Sequence, residues 1–366
     1  MDRTIGIGII GTGFGRTVHI PGFQTHPDTK VVAVYHRDLQ KAQQVANEFS
    51  IFAACNHLED LLAMPSIQAV AISTPPFLHF EMAKAAIEAG KHVLLEKPTA
   101  LSVDEAIVLY KLACSKGIIV TMDFEFRTCP HWRYLKHLLA TGYAGKPRLI
   151  KIEWLVQGRA SANRQWNWYS QKERGGGALG ALGSHTLDYV SWLFGPVERI
   201  CGQLSTTIRS RPDAQGIMRP ADADDTCNIM LELADRTPCN ISISTVTYRG
   251  RGHWVTVYGD RTTLVLGSPN LNDYVHGFNL QQAMPNGELE VMPIPSEYDF
   301  PRTFKDGRLA PFIAICDRFV SAIRKGENVI PSLREGIYSQ LLMDLTKYSY
   351  EQKQWFDVPN LDSLLA

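Results

Sequence analysis

The first third of the chain alternates short apolar runs with stretches whose apolar residues recur at helical spacing. The apolar runs are Ile5–Ile10, Val31–Tyr35, Ala69–Ser73, His92–Leu95 and Ile118–Met122. The helical stretches are Leu39–Phe49, Phe77–Ala89 and Ser102–Lys116. Nearly continuous apolar strands separated by helices indicate a parallel sheet that is covered on both faces. This pattern predicts a doubly wound α/β domain over residues 1–125, of the kind that binds dinucleotides.

After Pro130 the pattern changes to strands without intervening helices. A helix is predicted over His131–Ala140, followed by the strands Arg148–Val156, Ile200–Ile208, Cys227–Leu233, Asn240–Val246, His253–Tyr258 and Thr262–Leu266. Such a series predicts a second α/β domain, residues 126–366, built on a large and mostly antiparallel open sheet. Residues 210–224 and 268–302 are predicted as long loops. The helices Pro311–Lys325 and Leu333–Gln352 close the chain, and their packing back onto the first domain is left open.

Composition and charge narrow the classes of function. The 366 residues are 45% hydrophobic and 20% charged, with 37 basic and 37 acidic side chains. This balance leaves no basic excess for binding nucleic acid, and no apolar run is long enough to span a membrane. The seven cysteines are scattered without metal-ligand spacing, and Met1–Thr4 leads directly into a strand without room for a signal peptide. We therefore expect a cytoplasmic protein with free thiols and no metal site.

A glycine-rich turn follows the first predicted strand. The literal GxGxxG match begins at Gly6, but its first two glycines lie inside the strand. The useful glycines must follow the strand, where backbone N–H groups at the start of a helix can bind a pyrophosphate. Residues 11–15 meet this condition, although a simple tight turn is the alternative. The predicted cofactor contacts in this turn are Gly11, Thr12, Gly13, Phe14 and Gly15.

The end of the second strand bears on the choice of cofactor. NAD sites usually place a carboxylate here to bind the ribose hydroxyls, but this chain has His36 and Arg37. Arginine suits a 2′-phosphate, so NADP(H) is favoured over NAD(H). Asp38 is predicted to cap the following helix. A merely solvent-exposed Arg37 is the alternative.

Two further strand ends carry polar residues. The segment Ser73-Thr74-Pro75, with His79 beyond it, is expected to contact the cofactor, although an ordinary helix start would look similar. The second strand end reads Glu96-Lys97-Pro98. A lysine buried at a strand end is costly without a task or a partner, so Lys97 is a candidate cation beside a reacting oxygen. A Glu–Lys surface pair is the alternative.

A glycine-rich segment, residues 175–183, precedes His185 and Asp188. On a helix these two side chains would share a face. His185 is a candidate proton shuttle because a histidine pKa can be tuned near neutrality, and a structural histidine is the alternative. Arg127, Asp188 and, in the stretch 164–168, Trp166 are weaker candidates for contacting substrate, although tryptophans pack cores more often.

Taken in order, these motifs resemble the glucose–fructose oxidoreductase / inositol dehydrogenase (Gfo/Idh/MocA) family over nearly the whole chain. The resemblance implies an N-terminal Rossmann domain, and a C-terminal domain that binds substrate and forms homodimers or homotetramers through its sheet. It also implies hydride transfer between NAD(P) and a sugar, polyol or related hydroxy or keto compound. Lys97 corresponds to the lysine that polarises the reacting oxygen, with Glu96 beside it at the cofactor, and His185 to the usual acid/base.

The chain departs from the family pattern at one position. The aspartate of the family's D-x-G-x-H motif is replaced by Ala181, which leaves the proton route open. A non-catalytic NAD(P)-binding regulator of the same fold is therefore an alternative. A hydrolase or isomerase that uses nicotinamide in a transient redox cycle is another.

Overall fold

The computed structural model describes residues 4–270 and 277–366. Residues 1–3, which entered the expectation about a signal peptide, and residues 271–276, within the loop expected over 268–302, lie outside the described residues. The chain divides into two compact units. The first is Met1–Glu125 with Arg302–Gln340, and the second is Phe126–Pro301 with Leu341–Ala366.

The first unit is built on a six-stranded sheet in the order β3-β2-β1-β4-β5-β6, with every pair parallel. Its elements are β1 (Ile5–Ile10), α1 (Ile20–Thr25), β2 (Thr29–Tyr35), α2 (Leu39–Glu48), β3 (Ala53–Cys55), α3 (Leu58–Leu62), β4 (Ala69–Ile72), α4 (His79–Glu88), β5 (His92–Leu95), α5 (Val103–Lys116) and β6 (Val120–Met122). The strand order reverses between β1 and β4, and open α/β sheets bind ligands beyond the carboxyl ends of strands at such a point. The predicted doubly wound fold is confirmed.

Local sequence signals explain several of these elements. Asp38 Oδ1 accepts hydrogen bonds from the N–H groups of Gln40 (3.0 Å) and Lys41 (3.4 Å), so the predicted cap of α2 is confirmed. Strand β1 is buried along its whole length, which explains its unbroken apolar run. A Cβ atom on Gly6 would lie 1.8 Å from the Ser66 carbonyl oxygen, so this glycine lets β1 pack closely against the turn that precedes β4. That role agrees with its exclusion from the cofactor turn.

The second unit contains a nine-stranded sheet in the order β16-β15-β14-β13-β7-β12-β11-β8-β17. The remaining elements in chain order are α6 (Pro130–Ala140), β7 (Pro147–Leu155), α7 (Ser184–Phe194), β8 (Val197–Ser205), β9 (Ser210–Pro212), β10 (Met218–Pro220), β11 (Thr226–Leu233), β12 (Pro238–Ser244), β13 (Gly252–Gly259), β14 (Thr263–Ser268), β15 (Asn279–Ala283), β16 (Glu290–Val291), α8 (Leu309–Lys325), α9 (Leu333–Gln352), β17 (Phe356–Asp357) and α10 (Leu361–Leu365). Strands β7 and β12 pair in parallel, and the other pairs are antiparallel. The large, mostly antiparallel sheet is therefore confirmed.

The two expected loops were wrong in part. Residues 210–224 contain the hairpin of β9 and β10, and the described part of 268–302 contains β15 and β16. These strands are two to five residues long. The prolines at 212 and 220 make this hairpin difficult to predict from the sequence, because proline is tolerated in strands only at edges and ends.

Helix α8 belongs to the first unit. Its buried residues Phe312, Ile315 and Phe319 share one apolar core with β1 and α1. All seven cysteines are free thiols. Among the described residues, no helix combines the length and apolarity needed to cross a membrane.

Candidate active site

The glycine turn packs closely against the end of β4 on one side. Gly11 has a φ of +110°, and a Cβ atom there would lie 2.9 Å from the Ser73 carbonyl carbon. A Cβ atom on Gly15 would lie 2.7 Å from Ser73 Oγ. Gly13, by contrast, is exposed, and its Cβ position has no neighbouring atom within 4 Å. One side of the turn therefore packs against Ser73, and the other side, at Gly13, is exposed. A pyrophosphate that binds backbone N–H groups needs such an exposed side.

The residues around this turn fit a dinucleotide. Thr12 and Phe14 are half-buried, and Phe14 lies edge-on to the His19 ring with centroids 5.5 Å apart. Thr74 follows β4, together with half-buried Pro75, and its Oγ1 is buried without a hydrogen-bond partner among the described residues. A buried hydroxyl in that state is suited to a polar ligand, because an unsatisfied group costs free energy.

Two polar residues, His36 and Arg37, follow β2. His36 Nδ1 accepts a hydrogen bond from the Asp38 N–H at 3.0 Å, and the Asp38 carboxylate is used as the α2 cap. Arg37 is exposed, and within the described ranges no hydrogen bond or ion pair engages it. The strand end therefore presents a guanidinium group instead of a carboxylate.

Lys97 follows β5 on the same edge of the sheet. The side chain is half-buried, and its backbone N–H lies 3.3 Å from Glu96 Oε2. The Lys97–Pro98 peptide bond is cis. Consecutive strands β2, β1, β4 and β5 thus end in Arg37, the glycine turn, Thr74 and Lys97, respectively.

His79 holds two of these strand ends together. Its Nδ1 lies 2.7 Å from the Pro98 carbonyl oxygen and its Nε2 lies 2.8 Å from the Thr74 carbonyl oxygen. The residue is buried, which lowers its pKa, and the single N–H of the neutral ring donates to one of these two carbonyl oxygens. We propose that His79 positions the turn that carries Lys97, and its expected contact with the cofactor stays a prediction.

Glu96 is buried and forms a cluster with His19 and Asp123, which are also buried. His19 Nε2 lies 3.1 Å from Glu96 Oε1 and 3.5 Å from Asp123 Oδ2. Burial lowers the pKa of His19, but hydrogen bonds to and charges on the two carboxylates outweigh it and raise the pKa to about 9. Burial and the charge of Glu96 raise the pKa of Asp123 well above its usual range. The ligand atoms lie within 4.8 Å of one another, near enough for a cation, but a protonated His19 already supplies positive charge there.

The cluster predicts a pH-dependent contribution to stability. The His19 pKa of about 9 in the folded chain exceeds the value of about 6.5 expected on unfolding. The stabilisation by protonated His19 is therefore complete below pH 6.5 and is lost as pH rises through 9. We expect the gap between the urea midpoints of the wild type and His19→Gln to shrink between pH 6 and pH 10. A gap of constant size would contradict a protonated His19.

In the second unit, His185 lies at the beginning of α7, directly after a π-helical turn over Leu179–Gly183 that contains Ala181. The side chain is buried. Its ring meets Phe126 edge-on at 5.1 Å between centroids and is tilted against Trp154 at 6.2 Å. Such π-turns within helices are frequent at functional sites.

The structure brings together two of the weaker substrate candidates. Arg127 Nε and Nη2 donate to the two carboxylate oxygens of Asp188 at 2.9 and 2.7 Å, and both side chains are buried. Trp166 Nε1 donates to the Pro220 carbonyl oxygen at 2.8 Å. The two side chains of Arg127 and Asp188 form a buried bidentate ion pair between residue 127 and α7, and the expectation that they contact substrate stays a prediction.

Sequence reasoning missed several residues around these sites. Asp123 directly follows β6. A search for polar residues directly after a predicted strand, which selected Lys97, could also have found Asp123. His19 gave no signal, because it lies in an unpredicted π-helical turn over Gly15–His19. His253 occupies a core position of β13, where burial lowers its pKa to about 3, and stacks on Trp154 at 3.9 Å.

Comparison with known proteins agrees with this architecture. Residues 5–124 match the model of the oxidoreductase family with an NAD-binding Rossmann fold, and residues 136–358 match that of its C-terminal α/β domain. An uncharacterized oxidoreductase of Synechocystis sp. is 52% identical, with 98% of each chain covered. Levoglucosan dehydrogenase of Pseudarthrobacter phenanthrenivorans is 28% identical over 99% of this chain and 100% of that protein. A structure of levoglucosan dehydrogenase in complex with NADH and levoglucosan superposes with a TM-score of 0.88 at 25% identity, covering 98% of this chain and 100% of that one.

Proposed function

The chain belongs to the Gfo/Idh/MocA oxidoreductase family, and from this premise we propose that it transfers hydride between NADP(H) and a sugar- or polyol-like compound. Membership makes it an NAD-binding oxidoreductase related to sugar dehydrogenases. The observation that carries the proposal is the row of groups along one edge of the first unit's sheet. Location in the cytoplasm, and pairing into homodimers or homotetramers through the second unit's sheet, stay predictions.

The row provides for each part of the cofactor. Strands lie about 4.8 Å apart, so the ends of β2, β1, β4 and β5 span roughly 14 Å. Arg37 would hold the 2′-phosphate, the turn over residues 11–15 the pyrophosphate, and Thr74 a polar group farther along. When bound, the nicotinamide supplies the acceptor or donor of hydride.

Lys97 is proposed to stabilise the reacting oxygen. Its ammonium group donates hydrogen bonds to the substrate oxygen and favours negative charge that develops there during oxidation of the alcohol. The cluster of His19, Glu96 and Asp123 holds the residue that precedes Lys97, and His79 holds the proline that follows it. The backbone on both sides of Lys97 is therefore fixed.

His185 is proposed as the acid/base that accepts the hydroxyl proton during oxidation and returns it during reduction. The aspartate that the family pattern places at position 181 is absent, so no carboxylate from that position orients the ring. Instead, the aromatic contacts with Phe126 and Trp154 hold the ring in place. Onward transfer of the proton to water is compatible with this arrangement.

Arg37→Ala tests the choice of cofactor. Removing the guanidinium is expected to weaken NADPH binding by about 10- to 100-fold, the value of a charge-assisted hydrogen bond, and to leave NADH binding unchanged. Titration of protein fluorescence with each nucleotide measures both. Equal losses for the two nucleotides would show that Arg37 does not bind the phosphate.

A screen of sugars and polyols, followed by absorbance of the reduced nicotinamide, tests the function. At least one compound should support reduction of NADP⁺. If the protein binds the cofactor but turns over nothing in either direction, the regulatory alternative is favoured. If a substrate is consumed without net change in NADPH, the transient redox cycle is favoured.

A further inference from the structure

Three arginine side chains of the second unit converge on one short loop. Arg211, on β9, donates from Nη1 to the Ser161 carbonyl oxygen and from Nη2 to the Arg159 carbonyl oxygen, both at 2.7 Å. Arg164 donates from Nη1 to the Gly158 carbonyl oxygen. The guanidinium of Arg159 stacks over the Tyr169 ring, with its Cζ 3.6 Å from the ring centroid. We call Arg159, Arg164 and Arg211 the arginine cluster.

The cluster has more positive charge than its surroundings balance. In the described part of the chain, no carboxylate forms an ion pair with any of the three. Asp225 exerts a weaker attraction on Arg211, but its Oδ2 accepts hydrogen bonds from Thr207 and Ile208. Burial and the charges of Arg164 and Arg211 lower the pKa of Arg159 to about 10. Like charges held together in this way favour binding of an anion.

One N–H donor group of the arginine cluster also lacks a hydrogen-bond partner among the described residues. Arg159 Nη2 is buried and has no hydrogen-bond partner among the residues described. Arg211 is only 4% exposed, and its two hydrogen bonds to carbonyl oxygens hold its guanidinium group in place. A buried guanidinium is costly unless it is paired, and an anion that accepts from several guanidinium groups would remove this cost.

The loop is held in position before any ligand arrives. Trp166 donates its backbone N–H to the Pro212 carbonyl oxygen at 2.7 Å and its indole N–H to the Pro220 carbonyl oxygen at 2.8 Å. Both acceptors lie on the hairpin of β9 and β10. The Tyr169 carbonyl oxygen accepts from Gly177 N–H at 3.1 Å, which ties the loop to the segment that leads into α7 and His185. The arginine cluster and the proposed acid/base are thus parts of one connected framework.

We propose that the arginine cluster binds an anionic group of the substrate, a phosphate or a carboxylate carried by the sugar or polyol. The identification of the anion as part of a substrate rests on the proposed function. The binding of an anion itself does not require turnover. Guanidinium groups suit the planar or tetrahedral oxygens of either anion. Half-buried Trp166 and Trp168, on the same loop, offer ring faces of the kind that pack against sugars.

Binding of inorganic phosphate tests the site directly. The experiment uses the intact protein with saturating NADPH, so that any phosphate site at Arg37 is filled, and isothermal titration calorimetry at constant ionic strength. Arg164→Gln and Arg159→Gln are each expected to weaken phosphate binding by about tenfold or more, the value of one charge-assisted hydrogen bond. Arg148→Gln, which removes an exposed arginine of β7, is the matched control and should bind phosphate as the wild type does.

Kinetics then distinguish the two anions. A sugar phosphate, a sugar acid and the neutral parent sugar are compared, and the cluster variants should raise KM for the anionic compound that the site binds without lowering its kcat. Equal phosphate affinity in all four proteins would overturn the anion site, even if neutral sugars are oxidised and the proposed function stands. Arginine-dependent phosphate binding without turnover of any compound would support the site and count against the proposed function. Since Arg164 is exposed, its variant keeps the test valid if another variant fails to fold.

Discussion

Lys97→Met is expected to lower kcat by about 10²- to 10⁴-fold while leaving the affinity for NADPH nearly unchanged. The substitution keeps a long side chain at the end of β5 but removes the ammonium group. At about 1.4 kcal/mol per factor of ten, the expected loss is roughly 3–6 kcal/mol of transition-state stabilisation. Steady-state rates with a substrate from the screen and fluorescence titration with NADPH provide the two measurements.

Lys91→Met provides the matched control. Lys91 precedes β5 at its opposite end, and its Nζ donates to the Met64 and Ile67 carbonyl oxygens at 3.1 and 2.7 Å. Its loss should reduce stability without changing kcat of the folded fraction. Near-normal turnover in Lys97→Met would remove Lys97 from the chemistry, and loss of NADPH binding would reassign it to the cofactor site.

Asp188→Asn is expected to destabilise the second unit by about 3–5 kcal/mol, because it leaves the Arg127 charge buried without its carboxylate. For a unit of this size, that loss corresponds to a fall of roughly 6–20 °C in the midpoint of thermal unfolding. The exposed fractions of the Arg127 and Asp188 side chains are 5% and 2%, so solvent screens the pair little. Circular dichroism during heating measures the shift.

Two further variants separate charge from packing. Replacing both partners, as in Arg127→Met with Asp188→Leu, should recover most of the loss, since apolar residues of similar volume can replace a buried ion pair. Asp357→Ala removes the partner of Arg199 in an ion pair whose carboxylate is 90% exposed, and should cost less than about 1 kcal/mol. Equal, small effects of Asp188→Asn and Asp357→Ala would contradict a structural role for the buried pair.

The first unit could be predicted well from sequence because its signals are local. A parallel strand that is buried on both faces is continuously apolar, and Asp38 and Ser102 mark the starts of their helices through bonds to nearby backbone. Because parallel strands end at the same edge of a sheet, Arg37 and Lys97 could be placed on one edge without knowledge of the strand order. The short elements α1, β3 and α3 were missed, since three to six residues carry too little periodicity.

The second unit was harder to predict because its decisive contacts join distant residues. Arg127 and Asp188 are 61 positions apart, and each alone resembled a substrate group. The parallel pairing of β7 with β12 is also absent from any local pattern, because an alternating strand does not specify its neighbour. For the same reason, the arginine cluster, which joins a loop to the hairpin of β9 and β10, could not be found by spacing alone.

Hydride transfer by this chain can be followed through the transfer of an isotope from NADPH to a product. NADPH deuterated at nicotinamide C4 is incubated with the protein and a pool of keto sugars, and the products are analysed by mass spectrometry. We expect deuterium in a carbon-bound position of a reduced sugar with the wild type, and greatly reduced incorporation with Lys97→Met. Tight binding of NADPH by the wild type with no deuterium in any product would contradict hydride transfer by this chain.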